Sequence, residues 1–350
     1  MHGQKNISER YQKFKEMEGT GKIVCVTGGA GYLASWLIMR LLERGYSVRT
    51  TVRSDPKEFR EDVSHLKALP EATEKLQIFE ADLENPESFD DAINGCVGVF
   101  LVAQGMNFAE EYTLEKIIKT CVEGTLRILQ SCLKSKTVKK VVYTSSADAA
   151  MMISNLKAVK EIDETIWSEV DNFISKPEQV IPGLPSYVVS KVLTERACLK
   201  FSEEHGLDVV TILPPLVVGP FITPHPPPSV SIALSIISGG DVSMMLGVRL
   251  ENAVHIDDVA LAHIFVFECE KAKGRHICSS VDFPMHDLPK FISENYPEFN
   301  VPTELLKDIE EQEPVHLSSD KLLSMGFQFK YDFAEIFGDA IRCAKEKGFL

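Results

Sequence analysis

A chain of 350 residues with 44% hydrophobic and 25% charged residues has the balance of a soluble globular protein, long enough for one large or two modest domains. Its net charge of −14, from 37 basic against 51 acidic residues, argues against nucleic acid and anionic membranes as partners, since both need a basic surface. No run approaches the length of a membrane span, and Met1 to Gly21 is polar and charged, with no apolar stretch of the signal-peptide kind and too many acidic residues for a transit peptide. Residues 1–20 read as a loose N-terminal extension.

In chain order, apolar strand-like runs alternate with helical patterns. The strand-like runs are Lys22–Thr27, Ser47–Arg53, Lys75–Glu80, Gly98–Val102, Val138–Thr144 and Asp208–Leu213. Between them, Leu33–Arg44, Pro86–Asn94, Glu115–Lys134 and Tyr187–Glu204 have the spacing of helices. Such alternation predicts βαβ units and a parallel sheet covered on both faces. After about Pro214 the pattern becomes irregular. Pro224-His225-Pro226-Pro227-Pro228 reads as a rigid loop, because proline removes a donor and fixes φ. His255 to Ala260 reads as a short strand entering a helix, with Asp257 or Asp258 as N-cap. A last helix is expected over Phe333–Lys347. The fold expected is α/β, a Rossmann-type doubly wound parallel sheet with a smaller, irregular C-terminal substrate-binding part. Residues 21–213 would mainly bind the dinucleotide and carry the catalytic group. Residues 214–350 would mainly bind substrate, with some elements returning to the sheet.

The turn after the first strand is Thr27-Gly28-Gly29-Ala30-Gly31-Tyr32-Leu33-Ala34. Gly28 permits a tight turn, Gly31 lets the backbone approach a pyrophosphate, and Ala34 is small enough for close helix–strand packing. The phosphates would sit on the helix N-terminus. An ordinary strand-to-helix turn is the bland alternative, and the strand–turn–helix context favours a cofactor site over Thr27, Gly28, Gly31, Tyr32 and Leu33. The second strand ends at Arg53, which could meet the 2′-phosphate of NADP with Arg60 in support, although a lone arginine leaves NAD open. Asp82 and Leu83 follow the third strand, where adenine contacts are expected. Val102, Ala103 and Gln104 end the fourth strand beside the dinucleotide, and Pro214 and Val217 leave the sixth strand towards the nicotinamide.

Tyr187 and Lys191 stand four apart in Tyr-Val-Val-Ser-Lys, on one face of a predicted helix. An ammonium beside a phenol favours the phenolate, which would lower a pKa otherwise near about 10. Tyr187 would exchange the proton of the reacting oxygen, and Lys191 would tune it and hold the nicotinamide ribose. Thr144-Ser145-Ser146 ends the fifth strand, and Ser146 is the choice for polarising a substrate carbonyl or positioning a hydroxyl. Met106, Met151, Met152, Phe221, Met244 and Met245 could line an apolar substrate pocket, or could equally be core. The nine histidines include no HxH or HxxxH pair, so no metal is expected. The eight cysteines form no CxxC pair and mostly lie in apolar runs. They read as reduced core residues of a cytoplasmic protein.

These motifs, together with Val217-Val218-Gly219-Pro220 and the ending Asp339 to Gly348, resemble the extended short-chain dehydrogenase/reductases. The resemblance runs over roughly Gly21 to Leu350 and is nearest to the plant dihydroflavonol reductase and vestitone reductase branch. It implies a catalytic chain using NAD(P) on a small aromatic plant metabolite. Two polar positions of that branch are replaced. Met151 stands where an asparagine anchors the flavonoid, and Leu101-Val102-Ala103 stands for the usual His-Val-Ala. An apolar replacement suits a bulky, methoxylated ligand better than a flavonoid. The whole-chain resemblance implies oxidation of a phthalideisoquinoline alkaloid hemiacetal, narcotine hemiacetal, to its lactone with NAD⁺. The competing readings are an NADPH-dependent ketone reductase of flavonoid or isoflavonoid type, a sugar-nucleotide epimerase, and a non-catalytic dinucleotide sensor. Monomer and weak homodimer both stay open.

Overall fold

The computed structural model describes residues 19–53, 62–103, 113–154, 156, 159–171, 184–238, 251–301 and 313–350. The chain opens with β1 (Ile23–Val26), α1 (Tyr32–Glu43), β2 (Ser47–Val52), β3 (Leu76–Glu80) and β4 (Gly98–Leu101). Helix α2 (Gly124–Ser135) leads to β5 (Lys140–Thr144), followed by β6 (Glu161–Ile162), α3 (Leu184–His205), β7 (Asp208–Leu213) and β8 (Leu216–Val218). Then come β9 (Asn252–His255), α4 (Ile256–Glu268), β10 (Gly274–Ile277), β11 (Val281–Asp282), β12 (His316–Leu317) and α5 (Phe333–Glu346).

The six expected strands are β1 to β5 and β7. They form one sheet in the order β10-β7-β5-β4-β1-β2-β3, and every pairing in it is parallel. The chain runs outward from β1 to β3, then returns to β4 on the other side of β1. That reversal opens a crevice above the carboxyl ends of β1 and β4, the usual ligand position in such a sheet. The seventh strand, β10, was not legible in the sequence: Gly274-Arg275-His276-Ile277 is short and half polar, yet it pairs with β7 from Gly274↔Val210 to Ile277↔Leu213.

Side chains alternate across each strand, so one strand feeds two cores. Val24, Val26, Val48 and Phe100 pack with Leu37 and Leu41 of α1 and with Val259 and Val266 of α4. On the opposite face Cys25, Val99 and Val141 pack with Leu129 and Cys132 of α2 and with Cys198 and Phe201 of α3. This two-sided cover explains why the strands read as continuous apolar runs. The Phe267 ring lies 2.0 Å from where a Cβ on Gly98 would stand, so a side chain there would displace it.

Several elements differ from expectation. The helix predicted over Glu115–Lys134 is divided: Leu114–Ile117, a wider π-helical stretch Ile118–Glu123, then α2. Pro228 is not loop. It opens the short helix Pro228–Ala233, a position where its missing N–H costs nothing. Neither aspartate caps α4. His255 does, its Nδ1 accepting from the Asp257 N–H at 3.1 Å. Asp257 instead accepts from Trp36 Nε1 at 2.9 Å and Tyr331 Oη at 3.1 Å, and Asp258 accepts from the N–H groups of Lys330 and Tyr331. All eight cysteines are free, six buried and Cys269 and Cys343 half-buried.

Beside the main sheet, β8, β9 and β11 form a small three-stranded sheet. Val218 and Ala253 from it pack with Phe337 and Ile341 of α5. Among the described residues, no helix is long and apolar enough to cross a membrane.

Candidate active site

Thr27 ties the crevice together. Its Oγ1 accepts the N–H groups of Val102 and Ala103, both at 3.0 Å, so the ends of β1 and β4 are held in register. Gly28 has φ +74, a left-handed conformation that favours glycine, and a Cβ there would meet Ala103 Cα at 3.0 Å. Gly29 packs on β2, where a Cβ would come within 2.2 Å of Thr50 Oγ1. No side chain caps α1 and its first turn has no acidic residue, so its positive end faces the crevice uncompensated. A glycine cradle and an uncapped helix start fit the pyrophosphate of a dinucleotide.

The other cofactor candidates are distributed as follows. Arg53 is exposed at the end of β2. Asp82 spends one carboxylate oxygen on the Glu84 N–H at 2.8 Å, shaping its own turn. The carbonyl of Leu83 lies 2.9 Å from where a Cβ on Gly124 would stand, so α2 packs tightly on this turn. Tyr32 turns its side chain away from the turn towards α5, where its hydroxyl is buried and burial raises its pKa well above the ordinary value. Leu33 packs on the α1–α4 core. The Pro214 carbonyl accepts the Ala147 N–H at 2.9 Å, and Val217 is half-buried in β8. Arg60, Gln104, Met106, Met244 and Met245 lie outside the described residues.

At the end of β5 the three expected catalytic side chains come together. The Tyr187 side chain is hydrogen-bonded to Ser146. The Lys191 Nζ lies 5.7 Å from the centroid of the Tyr187 ring and 5.6 Å from that of Tyr143. It donates to the Thr144 carbonyl at 2.9 Å. The expected tuning of the phenol is overturned. Burial pushes the Tyr187 pKa well above its ordinary value, the charge of Asp148 adds to this, and the Ser146 hydrogen bond opposes it. Burial also lowers Lys191 itself to about 8, against the pull of Cys121, Glu195 and Asp148.

Three residues around this strand end, Asp148, Glu195 and Arg275, were missed. Ser146 Oγ donates to Asp148 Oδ2 at 3.1 Å and accepts the Asp148 N–H at 3.2 Å. Ser145 points elsewhere: its Oγ donates to Glu195 Oε2 at 2.8 Å. Glu195 also accepts from Thr211 Oγ1 at 2.6 Å and from Arg275 Nε at 3.0 Å. The guanidinium of Arg275 lies 3.7 Å from the centroid of the Trp167 ring and donates to the Ala149 carbonyl at 3.2 Å. Glu195 follows Lys191 by another four residues, so the helical face that carries Tyr187 and Lys191 was the available signal. Arg275 gave none, because it comes from β10.

Of the proposed pocket residues, Met151 and Met152 are half-buried and pack, as Tyr187 and Trp167 also do, against the core cluster that holds Ala149, Val188 and Val192. Phe221 is 1% exposed within the C-terminal core, its ring centroid 6.1 Å from that of Phe349, so the core alternative describes it. No group of three His, Cys, Asp or Glu side chains is placed to hold a metal among the described residues.

Comparison with known proteins agrees with this geometry. Residues 24–278 match the NAD dependent epimerase/dehydratase family. The chain is 99% identical to noscapine synthase SDR1 of Papaver somniferum over 350 residues, the whole of both chains. It is 46% identical over 333 residues to dihydroflavonol 4-reductase of Callistephus chinensis, covering 95% of this chain and 89% of that one. The crystal structure of vestitone reductase from alfalfa (Medicago sativa) matches with a TM-score of 0.80 and 43% identity, covering 94% of this chain and 99% of that one. The expected resemblance to the dihydroflavonol and vestitone reductase branch therefore holds. A family match over most of the chain, on a parallel sheet that reverses at a glycine cradle, leads to one conclusion: this protein belongs to the NAD dependent epimerase/dehydratase family, among its NAD(P)-dependent short-chain oxidoreductases.

Proposed function

We propose that this enzyme oxidises the cyclic hemiacetal of a phthalideisoquinoline alkaloid, narcotine hemiacetal, to the lactone noscapine. The observation that carries the proposal is 99% identity over the whole length to noscapine synthase. Thr27, Gly28, Gly31 and the start of α1 would hold the dinucleotide, with Val102 and Ala103 alongside. Bound NAD⁺ supplies the hydride acceptor. Tyr187 Oη takes the proton of the hemiacetal hydroxyl, Ser146 orients that hydroxyl, and Lys191 holds the nicotinamide ribose. Met151 and Met152 give the site an apolar wall suited to a methoxylated ligand. Residues after Pro214 complete the substrate-binding part. Arg53 is where a 2′-phosphate would be met, so NADP⁺ is the competing acceptor. The acidic chain and its free cysteines fit a cytoplasmic enzyme with a small-molecule substrate.

The test is absorbance at the reduced-nicotinamide band, with narcotine hemiacetal and either NAD⁺ or NADP⁺. A rise with NAD⁺ that falls by about 10²–10⁴-fold in Tyr187→Phe is expected. Absence of any rise, with dinucleotide binding intact, would sink the assignment.

One observation favours a second reading. A phenol held above its ordinary pKa stays protonated at neutral pH, which is the form that a reduction requires. That suits an NADPH-dependent reductase of flavonoid or isoflavonoid ketones, and two 46%-identical relatives are named dihydroflavonol 4-reductase and vestitone reductase. NADPH consumption with such ketones, compared with NAD⁺ reduction by the hemiacetal, separates the two.

A further inference from the structure

A guanidinium carries five N–H groups in a fixed planar fork. Arg275 is buried, and each of its five is engaged. Nε donates to Glu195 Oε1 at 3.0 Å, and Nη2 donates to Glu195 Oε2 at 3.4 Å and to the Ala149 carbonyl at 3.2 Å. Nη1 donates to the carbonyls of Glu164 at 3.0 Å and Ile166 at 2.5 Å. One side chain on β10 therefore reaches α3, the short helix Asp148–Met151 that follows β5, and the stretch from Glu164 to Ile166.

These contacts complete hydrogen bonding that the short helix cannot supply for itself. The last carbonyls of a helix have no partner within it. Here the Asp148 carbonyl accepts from Ser168 Oγ at 2.5 Å, and the Ala149 carbonyl accepts from Arg275 and from the Ser168 N–H at 3.0 Å. Ser168 Oγ also accepts the Met152 N–H at 2.9 Å, and the Met152 carbonyl accepts the Glu169 N–H at 2.8 Å. Trp167, next to Ser168, is held through its ring as well. The ring centroid lies 3.7 Å from the guanidinium carbon of Arg275 and 4.9 Å from that of Arg196 on α3.

The segments joined in this way carry the site. Ser146 and the Met151–Met152 wall flank or belong to the short helix, and Tyr187 and Lys191 share α3 with Glu195. Glu195 follows Tyr187 by eight residues, about 12 Å along the helix axis, so Arg275 acts through other residues. A buried ion pair is weak evidence for stability, because apolar residues of similar volume often serve as well. What apolar residues could not supply is a fork that fixes three carbonyls and a carboxylate from separate segments at once.

We propose that Arg275 and Ser168 are positioning residues of this site, a clamp that fixes Ser146 and the Met151–Met152 wall against the helix of Tyr187 and Lys191. This rests on the reading of Ser146 and Tyr187 as the groups at the reacting oxygen and of the two methionines as the substrate wall. The clamp sets where that oxygen lies relative to Tyr187 and the nicotinamide. A displacement of about 1 Å in such a site costs about a hundredfold in rate. Lysine is no substitute, since its three donors diverge from one nitrogen and match no planar fork.

The experiment has two arms. The first needs no substrate and compares amide hydrogen exchange in the parent protein and Arg275→Lys. Exchange over Asp148 to Met152 and Trp167 to Glu169 should quicken by about tenfold or more, while α1 stays as protected as in the parent. Equal protection of those segments overturns the clamp. The second arm measures oxidation of narcotine hemiacetal with NAD⁺, well below the unfolding midpoint of each variant. Arg275→Lys should lower kcat by about 10–100-fold and leave the Kd for NAD⁺ within about twofold. Ser168→Ala, which leaves the buried charges paired, should lower kcat by about tenfold. In Arg275→Ala, added guanidinium should restore part of kcat, and potassium at the same ionic strength should not. Variants that lose stability but keep the parent kcat make the network purely structural and overturn the proposal. Should neither Arg275 variant fold, Ser168→Ala decides, and parent-like exchange and kcat in it overturn the proposal. Quickened exchange together with no turnover of the hemiacetal by the parent enzyme sinks the proposed reaction and leaves the clamp standing.

Discussion

Ser145 and Ser146 are neighbours at the end of β5, yet each faces a different carboxylate. Ser145 donates into a closed arrangement, since Glu195 is 0% exposed and bound by Ser145, Thr211 and Arg275. Ser146 donates to Asp148, a half-buried residue that among the described residues has no ion-pair partner. A buried carboxylate with all its partners in place is rigid and chemically quiet. One that is desolvated and short of a cation has a raised pKa and can change protonation state. Two adjacent hydroxyls of one type therefore sit in opposite settings, one in a closed arrangement that holds the strand end and the other beside the Tyr187 phenol. Thr144 completes the row: its Oγ1 lies 2.8 Å from His263 Nε2 on α4.

The largest expected effect on stability comes from opening the closed side. Arg275→Leu leaves Glu195 buried without its cation and should cost about 3–5 kcal/mol in urea unfolding. A loss under about 1 kcal/mol would mean that the pair is not a stabilising element. Exchanging the serines one at a time sharpens the contrast. Ser145→Ala should cost about 1–3 kcal/mol of stability while turnover stays near normal. Ser146→Ala should leave the unfolding midpoint in place and reduce kcat by about a hundredfold. If Ser145→Ala is the variant that loses activity, the two assignments are reversed.

The smallest effect is read in acid. His263 Nδ1 donates to the Val259 carbonyl at 2.8 Å, so Nε2 is left to accept from Thr144. Burial lowers the His263 pKa from 6.5 to about 4. The unfolded chain takes up a proton near 6.5 that the folded chain refuses, so this contribution is present above pH 6.5 and lost as pH falls towards 4. His263→Gln should flatten the stability profile in that window by at most about 3 kcal/mol. An unchanged slope would show that His263 takes up its proton alike in the folded and unfolded chain.

Legibility followed locality. The glycine turn and the Tyr187–Lys191 pair each sit within a few residues of sequence, where spacing alone fixes geometry. The choice of Ser146 over Ser145 needed a resemblance, because both follow the same strand, and the tertiary partners Glu195 and Tyr187 agree with it. Asp148 was near in sequence and still passed over, since nothing in Ser-Ala-Asp says that a carboxylate will fold back onto the serine. The cap of α4 was misassigned for a related reason. Aspartate is the better N-cap in general, but Trp36 and Tyr331 claim Asp257, and His255 takes the capping position.

By itself the sequence determined a parallel sheet covered on both faces, a glycine cradle after its first strand, and a tyrosine and lysine on one helical face. These follow from periodicities of two and 3.6 residues and from the few residues that tight turns accept. Tertiary structure alone decided the protonation chemistry. Burial raises Tyr187 and lowers Lys191, and Asp148 adds its charge to the phenol. Desolvation depends on every element packed around a group, including β10 and α4, which lie far away in the chain, and no local spacing encodes it.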